Sequence, residues 1–207
     1  MEVLLIDDHP MLNAGIVSIL EQTGLFKVCA QAQSLKEAMY IIEKDDTPPT
    51  LIILDLLLGE DNGLDFFSML EKYCHNKKIE GKTVKKPLVL VCSALDDSFK
   101  IQTALNSGAA GFLSKTGGKE ELLKAIDTIL GGKVYISGEV NIKLKKSSSV
   151  YAKFSKREIT VIEFIKANKS NKQIADTLKI SIRTVENYIS KIYFKTGFLS
   201  REELYKL

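Results

Sequence analysis

The chain has no tryptophan, and only three cysteines, two histidines and four prolines in 207 residues. Cys29, Cys74 and Cys92 are odd in number and lack metal-ligand spacing, which argues against a disulfide framework or a cysteine zinc site and for reduced thiols. His9 and His75 lack such spacing too, and neither is expected to hold a metal. No stretch approaches the roughly 20 apolar residues of a membrane span. Glu2, Asp7 and Asp8 interrupt the first apolar run, so no secretory leader is expected and the cytoplasm is the expected location. Gly131-Gly132-Lys133 is not a phosphate loop, because the long glycine spacing such a loop needs is missing.

An apolar share of 45% permits real cores, and the length suits one large or two small domains. The net charge of +3 hides a division. Through Ile142 there are 14 Lys+Arg against 20 Asp+Glu, a balance of −6, and from Lys143 onward 15 against 6, a balance of +9. Such asymmetry points to an acidic regulatory part joined to a basic part that meets a polyanion, with nucleic acid the candidate.

Apolar strand-like runs sit near 2–6, 26–31, 51–55, 88–92 and 110–113, and helical patterns near 11–22, 35–45, 63–73, 97–107 and 118–130. Regular alternation of this kind predicts a parallel sheet with helices on both faces. Right-handed crossovers then favour five strands in the flavodoxin-like order 2-1-3-4-5. The lysine-rich stretch Cys74–Pro87 has no apolar period and reads as a flexible surface insertion. Residues 137–152, with Gly138, three lysines and Ser147 to Ser149, have linker composition.

Four apolar runs each end in a polar group: Asp7 and Asp8, Asp55, Ser93, and Lys115. In an open parallel sheet ligands bind outside the carboxyl ends of the strands. Three carboxylates meeting there supply the hard oxygen ligands that Mg²⁺ takes, while Ser93 and Lys115 can hydrogen-bond and neutralise phosphoryl oxygens.

The last third is helical in pattern. Ser155 opens a helix with Ile159, Ile162 and Ile165 on one face. Ser170 and Gln173 form a Ser-x-x-Gln capping box over a short helix through Leu178. Ser181 caps the next helix, whose Val185, Ile189 and Ile192 make an apolar stripe and whose other face carries Arg183, Glu186, Asn187, Ser190 and Lys191. Two short helices with a tight turn, the second presenting a polar face, make a helix-turn-helix able to enter a major groove.

With Gly63 in the turn after Asp55 and the run Ser107-Gly-Ala-Ala-Gly-Phe-Leu-Ser-Lys115, residues 1–130 resemble the receiver domain of two-component response regulators. Residues 154–204 resemble the LuxR-type DNA-binding domain of the NarL/FixJ class, through Phe154-Ser155-Lys156-Arg157-Glu158, Ser170-Asn171-Lys172-Gln173-Ile174-Ala175 and Ser181-x-x-Thr184-Val185. The resemblance implies a receiver at 1–131, a linker at 132–151 and a DNA-binding domain at 152–207. It also implies that a sensor histidine kinase phosphorylates Asp55. Asp8 would hold Mg²⁺ directly and Asp7 largely through water, with Asp55 and the Leu57 carbonyl as further ligands. Ser93 and Phe112 would act as switch residues, Phe112 turning inward.

On double-stranded DNA, Glu186, Asn187 and Ser190 would lie nearest the bases, and Lys172, Arg183, Thr184 and Lys191 would contact phosphates. A homodimer would form on phosphorylation or on DNA, with 201–207 as the dimer helix on DNA. Departures are Glu186 where the family usually has Lys, Tyr188 for His, and Gly59 and Thr116 where prolines are common. The alternative reading is a phosphorylation-independent DNA binder that keeps the receiver only as a dimerisation platform. A lost acidic or lysine residue would be its sign, and none is lost. No enzyme activity beyond accepting the phosphoryl group and slowly hydrolysing it is expected. Leu57 and Leu95, unable to orient a water, imply a persistent phosphorylated form.

Overall fold

The computed structural model describes residues 1–44, 47–82, 84–94, 97–151 and 153–206. It divides into two compact units, Met1–Ile142 and Lys143–Leu207. No described helix is long and apolar enough to cross a membrane.

The first unit alternates strand and helix: β1 (Glu2–Ile6), α1 (Pro10–Glu21), β2 (Lys27–Ala32), α2 (Leu35–Lys44) and β3 (Leu51–Leu54). A small antiparallel hairpin, β4 (Leu57–Leu58) with β5 (Asp61–Asn62), precedes α3 (Asp65–Ile79). Then come β6 (Leu88–Ser93), α4 (Ser98–Asn106), β7 (Gly111–Ser114), α5 (Lys119–Leu130) and β8 (Tyr135–Ile136). The sheet order is β2-β1-β3-β6-β7-β8, with every pairing parallel. The first five are the expected flavodoxin-like order. The sixth, β8, is two residues long, too short for any periodicity to reveal it. Gly111 permits it: a Cβ there would stand 3.0 Å from the Tyr135 carbonyl oxygen.

Continuous apolar strands bury both faces. Val3, Leu5, Leu51, Ile53, Leu90, Cys92 and Leu113 form one core with Ile16 and Leu20 of α1 and Leu122, Ala125, Ile126 and Ile129 of α5. The alternate residues Leu4, Ile6, Ile52, Leu54, Val89, Val91 and Phe112 are equally buried and point to the opposite face.

Two sequence expectations are corrected. The supposed insertion at Cys74 is helical as far as Ile79, because Tyr73 is buried and Lys77 lies over its ring at 5.7 Å. Beyond Ile79, the described residues up to Pro87 belong to no helix or strand, and the chain turns at Gly81 with φ +77°. The stretch of linker composition is instead the helix α6 (Gly138–Tyr151), anchored by buried Val140, whose N–H reaches Ser137 Oγ at 3.5 Å. The boundary between the units falls within α6.

The second unit contains α7 (Lys156–Lys166), α8 (Asn171–Leu178), α9 (Ile182–Thr196) and a 3₁₀ turn, Glu202–Lys206. Its core joins Val161, Ile162, Ile165, Ile174, Val185, Ile189 and Ile192 with Leu204; Ile159 is only half-buried. The expected helix from Arg201 is this single turn, tied back to its own unit. Arg201 donates to Asn171 Oδ1 at 2.9 Å and to the Lys169 carbonyl at 2.5 Å.

Glu158 organises the unit's entry. Its carboxylate accepts from the Ser155 N–H at 2.6 Å, its own N–H donates to Ser155 Oγ, and Lys195 Nζ from α9 lies 2.6 Å away. Burial opposes ionisation here, yet the Lys195 ammonium and the Ser155 N–H outweigh it and hold the carboxyl at about 2. A carboxyl held low in the fold stabilises it above its unfolded value of 4.5, and that stabilisation is lost as pH falls toward about 2. Urea midpoints measured across this window should therefore fall more steeply for the native chain than for Glu158→Gln. At neutral pH Glu158→Ala should cost the second unit about 2 kcal/mol, as a lost cap and a lost charged hydrogen bond partly screened at Lys195.

Candidate phosphoacceptor site and DNA-reading helix

Four adjacent parallel strands end at one rim, and backbone bonds fix the residues that follow them. The Asp7 N–H bonds the Ala32 carbonyl at 3.0 Å, the Asp55 N–H that of Ile6 at 2.8 Å, and the Lys115 N–H that of Ser93 at 3.1 Å. The sheet register therefore brings together residues up to 108 positions apart.

Asp55 is 2% exposed. Its Oδ1 accepts from Ser93 Oγ at 2.6 Å and from the Leu57 N–H at 3.0 Å, while Oδ2 accepts from Lys115 Nζ at 2.5 Å. Lys115 Nζ also lies 2.6 Å from Asp7 Oδ2. Burial lowers the Lys115 pKa, but hydrogen bonds to Asp55 and Asp7 more than offset this and hold it above the usual lysine value. Asp7 Oδ1 accepts from the His9 N–H at 2.8 Å and contacts His9 Nδ1 at 2.9 Å. Asp8 Oδ1 is 2.8 Å from the same nitrogen, without hydrogen-bond geometry, and stays buried with no donor.

Single ligand atoms of Asp7, Asp8, His9 and Asp55 all lie within 4.8 Å of one another. Three carboxylates with an orphaned buried oxygen fit a hard divalent cation. His9, set aside in the sequence reading, stands in this group with 61% of its side chain exposed; a two-residue contact with Asp7 carries no spacing signal. Asn13, also missed, supports the rim by donating from Nδ2 to the Asp7 carbonyl at 2.8 Å. Cys92 offers no nucleophile: burial pushes its thiol up to about 12, although Lys115 pulls the other way.

Leu57 is 45% exposed at the rim; Leu95, its partner in the expectation of slow hydrolysis, lies outside the described residues. Phe112, expected to turn inward, is already wholly buried in this structure. Thr116, where a proline is common, uses its hydroxyl instead, 2.7 Å from Ser114 Oγ and 2.9 Å from Glu139 Oε2.

On α9, Val185, Ile189 and Ile192 face the core as the stripe predicts, and Arg183, Glu186, Asn187, Ser190 and Lys191 are exposed, as is Lys172 on α8. Two of the expected DNA contacts are engaged locally. Thr184 is half-buried, with Oγ1 2.7 Å from the capping Ser181 Oγ, and Ser190 Oγ donates to the Glu186 carbonyl at 3.0 Å. The turn between α8 and α9 passes through Lys179 in the left-handed region, φ 54°.

A fold and rim of this kind define a signalling receiver joined to a helix-turn-helix transcription regulator. The family model of the response regulator receiver domain matches residues 3–127, and that of the bacterial regulatory proteins of the luxR family matches 152–207. The chain therefore belongs to the LuxR family of DNA-binding two-component response regulators. The Fimbriae Z protein of Escherichia coli K12 is 30% identical, over 98% of this chain and 93% of its own. The virulence-factor transcription regulator BvgA of Bordetella pertussis is 29% identical, over 100% and 95%. Among solved structures, RcsB dimers bound to two parallel DNAs share the fold at a TM-score of 0.67 and 20% identity, covering 100% of this chain and 96% of that one.

Gly63 is the position on which the Asp55 loop depends. A Cβ there would stand 2.5 Å from Leu56 Cα and 2.6 Å from the Asp55 carbonyl oxygen, both backbone atoms that cannot swing away. Gly63→Ala should destabilise the first unit by roughly 1–3 kcal/mol, read as a lowered urea midpoint with an unchanged slope.

Proposed function

We propose that this protein is a transcription factor gated by phosphorylation of Asp55, the phosphoryl group coming from the phosphohistidine of a sensor kinase. A carboxylate oxygen of Asp55 attacks phosphorus in line as the phosphorus–nitrogen bond to the donor breaks. The observation that carries this reading is the convergence of Ser93 and Lys115 on the Asp55 carboxylate at 2.6 and 2.5 Å. Both donors are already aimed where phosphoryl oxygens arrive, so the barrier is lowered by positioning and electrostatics. Asp7, Asp8 and Asp55 would hold Mg²⁺, with the Leu57 carbonyl as a further ligand. When bound, the ion supplies charge neutralisation between the carboxylates and the phosphoryl oxygens.

Lys115 then trades a carboxylate partner for the phosphate and Ser93 follows it, which biases the unit between two states. Phosphorylation or DNA favours a homodimer that reads two half-sites about one helical turn apart. Slow self-hydrolysis ends the signal. On the DNA, Glu186, Asn187 and Ser190 read bases; the Glu186 carboxylate cannot bond guanine acceptors and selects cytosine N4, while Asn187 pairs with adenine. Lys172, Arg183, Thr184 and Lys191 set register through phosphates.

Incubation with acetyl phosphate and Mg²⁺ should add one phosphoryl group by intact mass, and Asp55→Asn should add none; equal labelling of the variant refutes the site.

In DNA titrations at several salt concentrations, Lys172→Ala or Lys191→Ala should weaken binding to all sequences and reduce the salt slope by about one. Glu186→Ala or Asn187→Ala should instead shift sequence preference, losing roughly 1–3 kcal/mol of discrimination.

A further inference from the structure

The second half of α3 and the chain that follows it form a cleft of about 660 Å³ that none of Asp7, Asp8, Asp55, Ser93 and Lys115 lines. Its walls carry Lys72, Lys78, Lys82, Lys86 and His75, with Glu71 the one acid. This charge is concentrated against the trend of the unit: six of its 14 Lys+Arg stand between positions 72 and 86, alongside a single acid, Glu80. Lys77 and Glu80 pair with each other at 4.0 Å, and neither lines the cleft. Burial pushes the Cys74 thiol up and the Lys86 charge pulls it back, which places the Lys86 ammonium close to the cleft wall.

We propose that this cleft binds an oligophosphate anion. The volume is that of a small-molecule site, for which about 300–1,000 Å³ is typical. Lysine outnumbers acid four to one on the walls, a balance that a ligand carrying one or two charges matches poorly. All the fixed cations are lysines, point charges suited to phosphate oxygens and without the planar fork by which arginine holds a carboxylate. The wall carries no Phe, Tyr or Trp among the described residues, hence no broad platform for a stacked base beyond the His75 imidazole, so the phosphate chain is the recognised part. The negative end of the α3 dipole opposes an anion; Lys77 and Lys78 in its last turn offset it.

The test is calorimetry on the full-length protein at low salt without divalent metal, titrating tripolyphosphate, orthophosphate, ATP and a polyglutamate peptide. Tripolyphosphate should bind one to one in the micromolar range. Lys78→Gln with Lys86→Gln should weaken it at least tenfold, whereas Lys172→Gln with Lys191→Gln, a pair on the DNA-binding unit, should leave it unchanged. Melting curves accompany each variant. If the cleft pair melts early, Lys86→Gln alone must still weaken binding at least threefold. ATP binding as tightly as tripolyphosphate identifies a free phosphate chain and tighter ATP binding a nucleotide, both upholding the site. Unchanged affinity in the cleft variants, loss in the DNA-surface pair instead, orthophosphate equal to tripolyphosphate, or tighter binding of polyglutamate overturns it.

Discussion

The arrangement at the strand ends depends on one cation among several carboxylates. With ligand atoms of Asp7, Asp8 and Asp55 inside 4.8 Å, each pair of negative charges repels by on the order of 3–4 kcal/mol at an effective dielectric near 20. The Lys115 ammonium, bonded to Asp55 and Asp7 together, offsets that repulsion and so permits a buried Asp55. Asp8 takes no part in this bond, and its orphaned Oδ1 marks where the negative charge is least balanced. The sheet exists on the terms of this rim: β1, β3, β6 and β7 must lie side by side and in register for the four polar ends to meet.

Much of this could be read from the sequence because the information was local. Each strand was a short apolar run stopped by a polar residue, and each helix of the second unit carried its own cap, as Ser155, Ser170 and Ser181 show. The rim residues followed from strand ends plus a parallel topology. Features that depend on tertiary context were not legible. β8 forms because Gly111 admits the Tyr135 backbone, α3 continues past Cys74 because Tyr73 is anchored, and α6 forms in a serine- and lysine-rich stretch held by Val140. His9, Asn13 and Thr116 join the site through contacts that have no pattern along the chain. The positions of Thr184 and Ser190 were legible, but not the local bonds their hydroxyls make.

The second unit is small, and Glu158 shows how it compensates. A single carboxylate caps α7, bonds Lys195 of α9 and lies buried beside the core. α7 and α9 are thus held together by the same group that starts α7. The face of α9 that carries Arg183, Glu186, Asn187, Ser190 and Lys191 needs such support, since these exposed side chains contribute nothing to the core.

The sheet's margins carry a consequence for behaviour in a crowded solution. A parallel sheet of six strands has two open edges, each a template on which a foreign strand could add. At one edge β8 offers only two residues before the chain turns at Ser137 into α6. At the other, the ladder between β1 and β2 slips register between Val3 and Leu4, an irregularity that bends and twists the outer strand. Neither margin presents a long flat row of free amides and carbonyls. A chain whose buried strands are as uniformly aliphatic as Leu51 to Leu54 is thereby guarded, in its folded form, against stacking on its own copies.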